Sequence, residues 1–235
     1  MISSQVELKR FGSADALAAE VAGDVAAGLA QAIAVRGHAG VLLSGGHSPA
    51  RLFEQMRTQA LDWSRVSIAL VDERWVEPSD PGSNERFVRE ALLRDRAAAA
   101  RFVGLKNPAP SPELGAAAAW NASAHIARPV DITVLGMGDD GHTASLFPGS
   151  PNLPSALDLD APEGYVGMWA PVPPRPRLSL NLRALLDSRR ILVLMLGESK
   201  LRTYAAACGP GPTEEMPVRA VLRQRQVPVE VVWAP

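Results

Sequence analysis

Six short apolar runs punctuate the chain: VLLS at 41–44, VSIALV at 66–71, DITVLG at 131–136, YVGMWA at 165–170, ILVLML at 191–196 and VEVVWA at 229–234. Their length, their β-branched and leucine content and their lack of polar alternation predict buried strands. Between them lie stretches with helical character. One covers 14–36 and is stopped by Gly37, a second 49–59, a third 84–94 behind the cap residue Ser83, and a fourth 112–125 behind Ser111. Parallel strands need helical crossovers, so this alternation predicts an α/β fold whose largely parallel sheet is covered on both faces. Proline clusters at 108–112 and 171–176 read as loops, because strands continue on either side, and residues 1–235 are expected to form a single domain.

Four polar segments leave the carboxyl ends of four of these runs: SGGHSP after 41–44, DERW after 66–71, GMGDDGH after 131–135 and GESK after 191–196. In open α/β sheets those ends form the ligand crevice, so the four segments are expected to converge. Gly136, Gly138 and Gly141 match a dinucleotide-binding spacing, with Asp158 where a ribose-binding acid would stand. The context is wrong, since Pro148 and Gly149 interrupt the helix that such a loop must open. GHSPA resembles a nucleophile elbow, but Pro49 lacks the N–H that would build the oxyanion hole behind Ser48. The segment reads better with Ser48 as N-cap, Pro49 as first helical residue, and Ser44, Gly45 and Gly46 turning backbone amides toward an anion.

His47, Asp72, Asp140 and His142 together have the composition of a metal site, yet no recognised ligand spacing supports one. Imidazole with carboxylate is equally the composition of a general base and its orienting acid. His142, beside glycine in a polar turn, is the candidate base and Asp140 its acid. Asp72, Glu73 and Arg74 follow a buried strand directly and are expected to face the crevice. Lys200, one of three lysines among 24 basic residues, stands at a strand-to-helix junction suited to a phosphate.

Composition narrows the partners. The formal net charge is −1 and basic stretches interleaved with aromatics are absent, so nucleic acid is not expected and a small molecule is. Cys208 is the single cysteine, the start MISSQVELKRF has no signal-peptide core, and the run at 191–196 is far shorter than a bilayer span. A cytoplasmic chain without a membrane segment is the expectation.

The set SGGHSP, VDERWV, SNERFVRE, LGMGDDGHTASLFPG, PRLSL and GESK resembles the 6-phosphogluconolactonases along nearly the whole chain. That resemblance implies a Rossmann-like three-layer sandwich similar to glucosamine-6-phosphate deaminase. It also implies hydrolysis of 6-phospho-D-glucono-1,5-lactone, with no metal or organic cofactor; a monomer or weak homodimer is expected. By position it makes His142 the base, Asp140 the acid of its turn and Arg74 the active-site arginine. Ser44, Gly45 and Gly46 fall on the phosphate loop, with Arg177 and Lys200 on substrate-holding basic positions; His47 departs from the serine or threonine usual there. The related deaminases are similar to IAFNEP after the histidine, where a glutamate assists ring opening; TASLFP has none. A sugar-phosphate sensor, the other alternative, would carry a DNA-binding segment that the residues before Val41 do not provide.

Overall fold

The computed structural model describes residues 6–46 and 48–235. In chain order the strands are β1 (Leu8–Arg10), β2 (Ala39–Leu43), β3 (Val66–Leu70), β4 (Asp72–Arg74), β5 (Arg101–Val103), β6 (Ile132–Gly136), β7 (Tyr165–Trp169), β8 (Pro176–Leu180), β9 (Ile191–Leu196) and β10 (Val229–Ala234). The α-helices are α1 (Ala14–Arg36), α2 (Ala50–Met56), α3 (Asn84–Ala91), α4 (Pro112–Ala122), α5 (Leu153–Leu157), α6 (Leu182–Leu186), α7 (Glu198–Cys208) and α8 (Val218–Arg223).

Among the described residues, seven strands form one sheet in the order β1-β10-β9-β6-β2-β3-β5, and every adjacent pair is parallel. Its central strands are apolar throughout because helices cover them: Val41, Leu42 and Leu43 of β2 and Ile68, Ala69 and Leu70 of β3 have no exposed surface. Local signals set several helix ends where the pattern predicts them. The Ser83 and Ser111 hydroxyls accept from the backbone N–H three residues on, and Gly37 closes α1 at φ 78° with its N–H on the Ile33 carbonyl. Helix α1 is also long and apolar enough, by length and composition, to cross a bilayer, which a survey of short apolar runs overlooks. Here its Leu17, Val21, Val25 and Leu29 are buried in the common core, and the helix packs on β2, β10 and β6.

Three expectations need correction. Helix α2 begins at Ala50, one residue later than predicted, so Ser48 is not its cap: the Pro49 carbonyl already takes the first helical bond, from Phe53 N, and no side chain caps the end. The run at 165–170 is a strand, but of a second sheet ordered β4-β8-β7, antiparallel throughout, with Trp169 45% exposed. The third is DER, which forms β4 of that sheet instead of a loop. Its alternating faces turn Glu73 inward, away from the crevice, while Asp72 and Arg74 face it.

Candidate active site

At the carboxyl edge of the parallel sheet lies a cleft of about 310 Å³. It gathers Ser44, Gly45, Gly46, Ser48, Asp72, Arg74, His142, Arg177 and Lys200, so the four polar segments do converge, joined by Arg177 from β8. Asp140 stands directly behind His142; His47 lies outside the described residues.

The turn after β6 is shaped around the imidazole. Gly138 N donates to the His142 carbonyl at 2.8 Å, and Asp140 Oδ1 receives both the His142 backbone N–H, at 3.0 Å, and Nδ1, at 2.6 Å. Burial pushes the Asp140 carboxyl up, but its hydrogen bonds from and proximity to His142 outweigh this and hold it below the ordinary carboxylate value. It is therefore ionised at neutral pH, Nδ1 carries the proton, and Nε2 is left as the basic nitrogen. Gly141 turns the backbone at φ 79°, and Ala144 adopts φ 50°, uncommon for a residue with a side chain. Thr143 Oγ1 donates to the Gly136 carbonyl at 2.8 Å and Ser145 Oγ to Asp72 Oδ2 at 2.5 Å, fixing both ends of the turn. Phe147, 6% exposed, lays its ring 4.4 Å from the imidazole centroid.

Strands β4 and β8 supply the positive wall. Arg74 and Arg177 are register partners, and Arg177, 6% exposed, has no carboxylate ion pair among the described residues and no partner for its buried Nε. Burial, reinforced by the charge of Arg74, pushes its guanidinium down to about 10, so it still carries its charge at neutral pH. An unpartnered, desolvated cation at the wall of a cleft is an arrangement that an anion would complete. On the far side, Lys200 Nζ lies 3.3 Å from Asp139, whose carboxylate also accepts from Ser199 Oγ. The loop after β2 leaves the Gly45 and Gly46 amides without a partner among the described residues, whereas the Ser44 amide is bound to the Val134 carbonyl at 2.9 Å.

Asn84 had no role in the sequence reading, and Glu73 takes a different one from the crevice position expected of it. Asn84, 2% exposed, donates from Nδ2 to the Asp72 carbonyl at 2.9 Å and packs so closely that a Cβ on Gly45 would meet its Oδ1 at 2.0 Å. Glu73 accepts from the Arg74, Asn84 and Glu85 amides, each at 2.7 Å, and from Ser83 Oγ at 3.1 Å, tying β4 to the start of α3. Burial pushes its carboxyl up to about 7 against those donors. Among the described residues no group of three His, Cys, Asp or Glu is placed to hold a metal ion.

The family model described as glucosamine-6-phosphate isomerases/6-phosphogluconolactonase matches residues 12–233. A 6-phosphogluconolactonase of Rhizobium meliloti is 44% identical over 225 residues, 96% of this chain and 97% of the relative. The crystal structure of a 6-phosphogluconolactonase from Shewanella baltica superposes with a TM-score of 0.95 at 42% identity, covering all of both chains. A monomeric glucosamine-6-phosphate deaminase, at 18% identity and a TM-score of 0.79 over 97% of each chain, shares the fold.

Proposed function

Because this chain belongs to the family of glucosamine-6-phosphate isomerases and 6-phosphogluconolactonases, we propose that it hydrolyses 6-phospho-D-glucono-1,5-lactone to 6-phospho-D-gluconate by general-base activation of water. The observation that carries the reading is the imidazole of His142, its Nδ1 held at 2.6 Å by Asp140, in one cleft with Arg74, Arg177 and Lys200.

A δ-lactone is an activated ester, and the site has the parts its hydrolysis needs. His142 Nε2 takes a proton from water as the water oxygen bonds to the lactone carbon, and the carbonyl electron pair moves onto oxygen. Collapse of that intermediate breaks the bond to the ring oxygen, which recovers the proton from the imidazolium. Such a base contributes about 10²–10⁴-fold. Asp140 fixes the tautomer and offsets the imidazolium charge. Arg74 stabilises the oxyanion, or holds a substrate oxygen already in the ground state. The phosphate is anchored by Lys200, Arg177 and the amides of Gly45 and Gly46, with Ser44, Ser48 and Asp72 bordering it, which fixes the lactone against the base. The cleft, about 310 Å³, is at the small end of ligand sites and suits a single sugar phosphate.

The proposal extends to a cytoplasmic monomer or weak homodimer acting on a small phosphorylated lactone, without nucleic acid or membrane as partner and without a cofactor. Support comes from the near-neutral charge and from the single cysteine, Cys208. The test is an assay on freshly generated lactone, corrected for spontaneous hydrolysis, beside glucosamine 6-phosphate deamination. Lactone turnover is the expected result; deamination alone would overturn the assignment.

A further inference from the structure

The His142 imidazole is held at one edge by Asp140, but a hydrogen bond at Nδ1 leaves the ring free to swing about that contact. Phe147 supplies the second constraint. Its ring centroid lies 4.4 Å from that of the imidazole, at 43° between planes, and the Arg177 guanidinium carbon stands 5.9 Å from the same phenyl centroid. At 6% exposure the phenyl ring is fixed by its own packing, one residue beyond the buried Leu146. One aromatic side chain therefore touches both the candidate base and the unpartnered buried cation of the site.

We propose that Phe147 is a positioning residue for this reaction, whose ring sets the plane of the His142 imidazole and stabilises the imidazolium formed during turnover. The inference rests on the lactonase reading above. Aromatic pairs at this spacing hold a preferred mutual geometry, and the negative face of a phenyl ring favours a neighbouring cation over its neutral form. The charged groups around the imidazole are Asp140 on its own turn, Asp72 and Arg74 on β4, Arg177 on β8, and Lys200 on α7, which is itself paired with Asp139. All of them are retained when only the phenyl ring is removed.

Two variants separate this role from simple packing. Phe147→Leu keeps an apolar side chain and loses the ring, while Phe147→Tyr keeps the ring. The leucine variant should shift the acid limb of kcat/KM to lower pH by about half a unit, the size of a cation–π contact at a partly exposed site. Its kcat should fall about 3- to 10-fold, as expected for the loss of one aromatic pair. The tyrosine variant should keep the limb in place and most of kcat. An unmoved limb in a folded leucine variant, or a tyrosine variant that behaves like leucine, would overturn the proposal while leaving the reaction assignment intact. If the parent hydrolyses no lactone, the assignment itself fails. The His142 ring signals, followed against pH by NMR without substrate, then decide the contact separately: the same half-unit displacement in Phe147→Leu supports it, and coincident curves refute it.

Discussion

Gly138→Ala adds one methyl group at the place where the fold has left no room for it. A Cβ there would lie 2.0 Å from His142 Nδ1, 2.2 Å from Cε1 and 2.6 Å from Asp140 Oδ1, whereas ordinary contact begins near 3.4 Å. The imidazole must withdraw by more than 1 Å, which breaks its 2.6 Å bond to Asp140 and carries Nε2 out of line. The backbone is not the obstacle, because residue 138 lies outside the left-handed region. The displaced groups are side-chain ends that are 31% and 42% exposed, so they can move into solvent. Losing one partly exposed hydrogen bond costs about 1 kcal/mol, and the entropy gained on replacing glycine offsets about half of that. The melting temperature should therefore move by no more than about 4 °C. Activity should respond quite differently, since about 1 Å of misplacement reduces turnover roughly 10²-fold. Background-corrected kcat/KM on the phosphorylated lactone, paired with a circular dichroism melt, measures both quantities. A folded variant within about threefold of the parent would refute the argument that the Asp140 contact aims the base. A melting loss above about 10 °C would show instead that the turn supports the fold.

Three other substitutions probe the remaining parts. His142→Asn keeps a polar side chain without a basic nitrogen and should lose about 10²–10⁴-fold in kcat while still binding a phosphorylated ligand; near-parent turnover would assign the base elsewhere. Lys200→Ala should weaken capture of the phosphorylated lactone yet hydrolyse unphosphorylated gluconolactone about as well as the parent, and an equal proportional loss on both would remove Lys200 from the phosphate site. For Arg177, burial and Arg74 push the guanidinium down to about 10, so the folded state disfavours the cation. At neutral pH this costs stability, and the penalty is relieved only as pH rises through about 10 toward the ordinary arginine range. Arg177→Met should thus raise the unfolding free energy by about 1–3 kcal/mol, and inorganic phosphate should raise the melting temperature of the parent more than that of the variant. A destabilised variant, or equal phosphate shifts, would contradict this.

What could be read from the sequence was what neighbours along the chain decide. Ser83, Ser111 and Gly37 mark helix ends because their capping bonds span only three or four residues. The convergence of the SGG, GMGDDGH and GESK segments was legible because the ends of parallel strands share one edge of a sheet. Strands β4 and β8 were not, since DER carries only charged residues and PRLSL begins with proline; each becomes a strand by pairing with the other, about a hundred residues away. Glu73 looked like a crevice residue until Ser83, Asn84 and Glu85 supplied its donors. Phe147 sat in a quoted motif, but its neighbour Arg177 comes from a different sheet.

That division between sheets bears on how such a site can diverge. The candidate base rides on a turn after β6 of the parallel sheet, whereas Asp72, Arg74 and Arg177 are fixed by the antiparallel register of β4 and β8. Side chains alternate along a strand, so a slip of one residue in that pairing would turn one strand over relative to the other and put the two guanidiniums on opposite faces. The turn meets that pair through Ser145, bonded to Asp72 and Ser179, and its other residues can be exchanged without disturbing the register. The candidate base and the two guanidiniums are thereby held by separate frameworks, and the residues that carry the base can be rewritten while Arg74 and Arg177 keep their register.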